Sequence, residues 1–128
     1  MDQYLQPNQS YLRLVDDYKK HGTLVVAFDF DNTVYDFHGT GNSYRYVTAL
    51  LRRCHKAGFY LICFTANSDT HAISDYLKAN DIPYNGINEN PPFFKCDSPK
   101  VYYNILLDDR AGLIQAYTEL DLLLRIIE

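Results

Sequence analysis

Apolar residues follow two alternating periodicities along this chain. Over residues 9–21, Tyr11, Leu12, Val15 and Tyr18 fall close to one helical face, and Gly22 is placed to stop that helix. Thr23 to Phe28 (TLVVAF) is a short, nearly unbroken apolar run rich in β-branched residues, the signature of a buried strand. It stops abruptly at Asp29-Phe30-Asp31-Asn32-Thr33. A loop over 35–43 leads to a helix over about 43–57, where Val47, Leu50, Leu51 and Cys54 recur at helical spacing before Gly58. Phe59 to Phe64 (FYLICF) reads as a second buried strand and ends on Thr65-Ala66-Asn67-Ser68. A helix near 69–80 turns Ile73, Tyr76 and Leu77 inward, and a short third strand lies within 82–87. The stretch 88–99 (NENPPFFKCDSP) holds three prolines and is a loop. Tyr102 to Leu107 (YYNILL) is the fourth strand and ends at Asp108-Asp109. The last helix covers about 111–127, with Leu113, Tyr117, Leu120, Leu124 and Ile127 on one stripe.

Strands alternating with helices predict a central parallel sheet with right-handed crossovers. The expected fold is α/β, a three-layer Rossmann-like domain covering residues 1–128 as one unit. In open sheets of this kind, ligands bind in the crevice outside the carboxyl ends of the strands. Asp29, Asp31, Thr65, Asp108 and Asp109 all follow strand ends, so they are expected to meet at one edge.

Composition adds exclusions. An apolar fraction of 47% and a charged fraction of 22% are those of an ordinary globular chain. The net charge of −4 gives no global attraction to nucleic acid, although polynucleotide ends stay open as substrates. A local basic group, Arg45, Arg52, Arg53, His55 and Lys56, reads as a solvated helix face. The three cysteines, Cys54, Cys63 and Cys96, have neither zinc nor disulfide spacing, which suits a reducing cytoplasm. The amino-terminal residues do not resemble a signal peptide, and no apolar run has the ~20 residues of a membrane helix.

Several carboxylates at one sheet edge repel one another. Two unit charges about 4 Å apart interact by roughly 4 kcal/mol at an effective dielectric near 20. A hard divalent cation relieves this, and magnesium, which takes one or two carboxylates plus waters and phosphate, is the expected cofactor. Helix or turn capping accounts for one such aspartate, but not for DxD after one buried strand and DD after another. A carboxylate pair can divide phosphoryl transfer, one attacking phosphorus while the other moves protons.

VVAFDFDNTV resembles the first motif of the haloacid dehalogenase superfamily, an apolar strand followed by DxDxT. ICFTAN resembles its second motif, a strand ending in Thr or Ser. Lys100, eight positions before Asp108, is similar to the third-motif lysine, with Lys95 as a second candidate. NILLDDRAGL resembles the fourth motif, and the four occur in order over roughly residues 23–112. The resemblance implies a nucleophile and magnesium ligand at Asp29, and an acid/base at Asp31 whose backbone carbonyl also reaches the metal. It further implies Thr65 and Lys100 on the phosphoryl group, magnesium on Asp108, Asp109 behind it, and Thr33 bracing the turn. Asn67 and Ser68 either line the phosphate pocket or cap the next helix. Arg110 either reaches an acid or is solvated, and His38 either touches substrate or is simply exposed.

The implied activity is that of a capless phosphatase, since dehalogenases lack the second aspartate. Substrates remain open among nucleotides, sugar phosphates and larger phosphoesters. Neither place where larger members insert a cap holds a folded one. Such sites are open to large substrates or closed by a partner subunit, for which a second copy of the chain is one candidate. The loop 35–43 would then be a mobile flap, with Tyr35, Phe37 and Tyr44 as stacking candidates. Phosphotransferase or phosphomutase chemistry, and a non-catalytic metal- or phosphate-binding domain, are the alternatives. A response-regulator receiver fits poorly, because there the acid pair comes first and here it comes last.

Overall fold

Short strands and helices follow the expected order, and the computed structural model describes residues 2–128. Helix α1 (Gln9–His21) is closed by Gly22, whose φ of 71° is costless only for glycine and whose N–H reaches the Tyr18 carbonyl at 2.7 Å. Strand β1 (Val25–Asp29), helix α2 (Arg45–Lys56) and strand β2 (Tyr60–Phe64) follow, then helix α3 (Thr70–Ala79) and strand β3 (Gly86–Ile87). Strand β4 (Ile105–Leu107) and helix α4 (Leu113–Ile127) complete the order. No helix among the described residues is long and apolar enough to cross a membrane.

All four strands are parallel, in the order β3-β2-β1-β4, and the fold is a Rossmann-like α/β domain. Alternation along the strands separates two cores. Val26, Phe28, Leu61, Cys63, Ile105 and Leu107 face the main core with buried residues of all four helices. Val25, Ala27, Ile62 and Leu106 face the other side. There the covering layer is not helical: it is the segment 88–104, which buries Val101 and lays Tyr102 and Tyr103 on the sheet. Topology explains this. The chain steps outward from β1 to β3 and must return past β1 to reach β4. A right-handed return runs over the opposite face.

Two strands are shorter than their apolar runs because asparagines take over the ladder. Asn104 offers its N–H to the Val25 carbonyl (2.8 Å), and its side-chain oxygen accepts from the Val25 N–H (2.7 Å). Pairing before β4 is thus made by a side chain, while Tyr102 and Tyr103 leave the ladder to pack. Asn85 brackets Leu61 of β2 in the same way, at 2.7 and 2.8 Å.

Two residues of the basic face of α2 are engaged within the fold. Arg52 donates to the carbonyls of Asp81 (2.9 Å) and Asn80 (3.2 Å), and Arg53 pairs with Glu128 (2.7 Å) and with Asp121. Those acids hold the Arg53 guanidinium more firmly protonated than usual.

Candidate active site

Register brings the acids level. Phe28 of β1 pairs with Leu107 of β4, so Asp29 and Asp108 follow on neighbouring strands. Strands in one sheet lie about 4.8 Å apart. The strand order also reverses between β1 and β4, where open α/β sheets form their ligand crevice. One carboxylate oxygen each from Asp29, Asp108 and Asp109 lies within 4.8 Å of the others.

Thr33 ties this group together from beneath. It is fully buried, and its hydroxyl is shared between Asp29 Oδ2 (3.4 Å) and Asp109 Oδ1 (3.5 Å) while accepting from the Asp109 N–H (3.2 Å). The Asp108 carboxylate accepts from the Arg110 backbone N–H at 2.9 Å, and the Arg110 side chain is exposed. Thr33→Val keeps the volume and removes the hydroxyl. It is expected to cost roughly 1 kcal/mol of stability and to slow turnover roughly 10–100-fold, with Thr33→Ser close to wild type. Thermal unfolding and kcat measure both effects, and equal behaviour of Ser and Val would remove the hydroxyl from the account.

Burial first, then the hydrogen bond with Asp109 and the charges of Asp108 and Asp109, push the Asp29 carboxyl up from 3.8 to about 7. Three hard oxygen donors this close, with one of them reluctant to ionise unaided, fit magnesium.

The turn after β1, which carries Asp31, is held by its own backbone. The Phe30 carbonyl accepts from the N–H groups of Val34 (3.1 Å) and Tyr35 (3.0 Å), and Asn32 has φ 61°. Asp31 is half-buried, and its carboxylate is not among the three that converge. Both Asp29 and Asp31 raise the Cys63 thiol, which burial chiefly pushes up to about 12.

Thr65 stands at the end of β2, half-buried, with its backbone clamped by Asn88. The Asn88 side chain accepts from the Thr65 N–H (2.8 Å) and donates to the Thr65 carbonyl (2.7 Å). Asn88 adopts φ 55°, a left-handed conformation that asparagine tolerates better than most residues. Sequence reasoning missed this residue, and an asparagine directly after a short strand was the available signal. Neither Asn67 nor Ser68 caps α3. That cap is Asp69, which accepts from the Ala72 N–H at 3.1 Å. Asn67 instead holds the turn, donating from its N–H to Thr65 Oγ1 (3.1 Å) and accepting from the Asp69 N–H (2.9 Å).

Two expectations are revised. Lys100 is exposed, forms no salt bridge among the described residues, and is not brought to the acids. It borders a cavity beside α1, just before Asn104 pairs with Val25 at the amino end of β1. That end is about 13 Å from Asp29 at 3.3 Å per residue. Lys95 follows Phe93, whose ring packs on Tyr60 at the amino end of β2, so it is no substitute. The segment has already crossed the sheet before either lysine occurs.

The loop 35–43 is built around Asp36, not left as a free flap. The Asp36 carboxylate accepts from the N–H groups of Gly41 (2.7 Å) and Thr40 (3.2 Å), which hold it below the usual carboxylate range. Tyr35 is stacked on Phe30 (4.9 Å between centroids) and meets Tyr76 edge-on (4.9 Å), so its ring belongs to the fold. Tyr44 is half-buried at the start of α2, while Phe37 remains exposed with His38 against its edge.

No protein-family model and no curated protein matches the chain. Among solved structures, the fold is similar to that of a conserved protein from Bacteroides thetaiotaomicron, with a TM-score of 0.61 and 16% identity. The match covers 82% of this chain and 89% of that one. At that identity the likeness is one of fold.

Proposed function

We propose that the protein is a magnesium-dependent phosphomonoester hydrolase acting through an aspartyl-phosphate on Asp29. The observation that carries this reading is the convergence of Asp29, Asp108 and Asp109 at the crevice where the strand order reverses. Those three residues, with the Asp31 backbone carbonyl, would hold magnesium. Its positive charge would keep the acids ionised and offset charge on the phosphoryl oxygens.

A carboxylate oxygen of Asp29 attacks phosphorus, and the bond from phosphorus to the ester oxygen breaks. The Asp31 carboxyl gives its proton to that leaving oxygen. Asp31, now ionised, takes a proton from water as the water oxygen attacks phosphorus. The bond to Asp29 breaks, inorganic phosphate leaves, and both acids return to their starting states. Thr65, at the end of β2, would donate its hydroxyl to a phosphoryl oxygen. Lys100 has no part in these steps, and Arg110 is the basic residue that directly follows the acid pair.

Release of inorganic phosphate from an aryl phosphate is the direct assay. Turnover is expected with magnesium and is expected to be lost with a chelator. Inactivity across a broad panel of phosphomonoesters, with magnesium present, would refute the reading.

A further inference from the structure

A second concave site of different chemistry lies beside α1. A cavity of about 650 Å3 lies between α1 and the segment 94–104. That size lies within the roughly 300–1,000 Å3 of small-molecule sites. Arg13 and Lys100 both line it, and neither forms a salt bridge among the described residues. Asp17 is the acid on the same wall, and it is engaged, accepting from the Asn104 side-chain amide at 3.2 Å. Two cations against one acid give this wall a positive balance on a chain of net charge −4.

Four aromatic residues, Tyr4, Phe94, Tyr102 and Tyr103, share in the lining. Phe94 and Tyr102 are stacked at 4.4 Å, and the Asn104 amide donates to the Tyr102 hydroxyl at 3.1 Å, so this wall is held in place before any ligand arrives. Tyr4 is exposed at the rim, with the Arg13 guanidinium 5.3 Å over its ring. Guanidinium and ammonium groups recognise phosphate, and a face of stacked rings recognises a planar base. Both sit within one nucleotide-sized cavity.

We infer that this cavity is a second, non-catalytic binding site for a nucleoside monophosphate, with phosphate at Arg13 and Lys100 and the base against Phe94 and Tyr102. It gives the lysine that the acids do not use a ligand of its own. Neither Arg13 nor Lys100 is among the groups that shift the Asp29 carboxyl, so the phosphate proposed there is not the one Asp29 would attack. The inference does not rest on the phosphatase reading.

The test is a titration of the full chain with AMP in chelator-containing buffer, followed by backbone amide NMR shifts. Saturable shifts are expected at Arg13 and over 100–104, with a Kd below about 1 mM. Adenosine and ribose 5-phosphate, each lacking one recognised part, are expected to bind at least ~10-fold more weakly. Arg13→Ala and Lys100→Ala, both at exposed positions that leave the fold intact, are each expected to weaken AMP at least ~10-fold. Asp108→Asn is expected to leave AMP binding unchanged. Shifts confined to Asp29, Asp108 and Asp109, equal affinity for ribose 5-phosphate, or no saturation by about 10 mM would each overturn it.

Discussion

Asp29→Asn is expected to abolish turnover and, at the same time, to stabilise the metal-free protein at pH 8. Loss of the attacking carboxylate removes the covalent route, and at least a ~10³-fold fall in kcat is expected. The stability effect comes from linkage. The folded protein keeps a proton on Asp29 up to about pH 7, whereas the group's ordinary value is 3.8. The folded state therefore binds more protons than the unfolded chain between those values. The contribution of Asp29 to wild-type stability is greatest below about pH 4, falls as pH rises toward about 7, and stays low above it. Asparagine is neutral throughout and lacks this fall.

The full shift corresponds to about 4 kcal/mol at 1.36 kcal/mol per pKa unit. Asp29 is part-exposed, so solvent screening reduces this to about 1–2 kcal/mol. In a domain of this size that is a few degrees of Tm. Thermal unfolding with a chelator is expected to show coincident curves for wild type and variant at pH 4 and a more stable variant at pH 8. Magnesium is expected to raise the wild-type Tm at pH 8 and narrow the gap, because a cation favours the ionised acids. A fully active variant would remove Asp29 from the nucleophile's role. A variant no more stable than wild type at pH 8 would remove the argument from burial and repulsion.

Asp31→Asn is expected to separate substrates by leaving group. Asp31 lies beyond the strand end and outside the three-acid cluster, which suits proton transfer better than direct metal binding through its side chain. General acid help contributes typically ~10²–10⁴-fold, and only where the leaving oxygen needs a proton. Alkyl phosphates are expected to lose that factor in kcat/KM. Aryl phosphates with acidic phenols are expected to lose ~10-fold or less. A plot of log kcat/KM against leaving-group pKa is expected to be steeper for the variant. Parallel lines would assign Asp31 to positioning instead.

Much of the site was readable one strand at a time. VVAFD and NILLDD are buried apolar runs cut off by acids, so strand, strand end and polar tip are written together. Parallel β topology then puts the tips on one edge. Thr33 was readable as a brace from the motif, but its bonds to Asp29 and Asp109 needed the tertiary contact with the residues after β4. Asn88 was marked only as an asparagine directly after a short strand; its clamp on Thr65 was not readable, because its side chain acts on a residue of another strand.

Lys100 marks the limit of spacing arguments. Eight positions of roughly extended chain span about 26 Å, so a residue that far before a strand's end lies at the opposite edge unless the chain doubles back. Whether it doubles back depends on how the segment 88–104 crosses the sheet, and that is set by Val101, Tyr102 and Tyr103 finding the open face. The same holds for the loop after β1. Asp36 closes it through backbone N–H groups that no apolar pattern reveals.

The sequence by itself determined the alternation of strands and helices and the acids at the ends of β1 and β4, because periodicity and strand termination are local properties. Only the tertiary structure decided which of the acids converge, that Asp31 is not one of the three, and that Lys100 borders a cavity beside α1. Those outcomes depend on register between strands distant in the chain and on the face chosen for the return crossing, and both are fixed by packing.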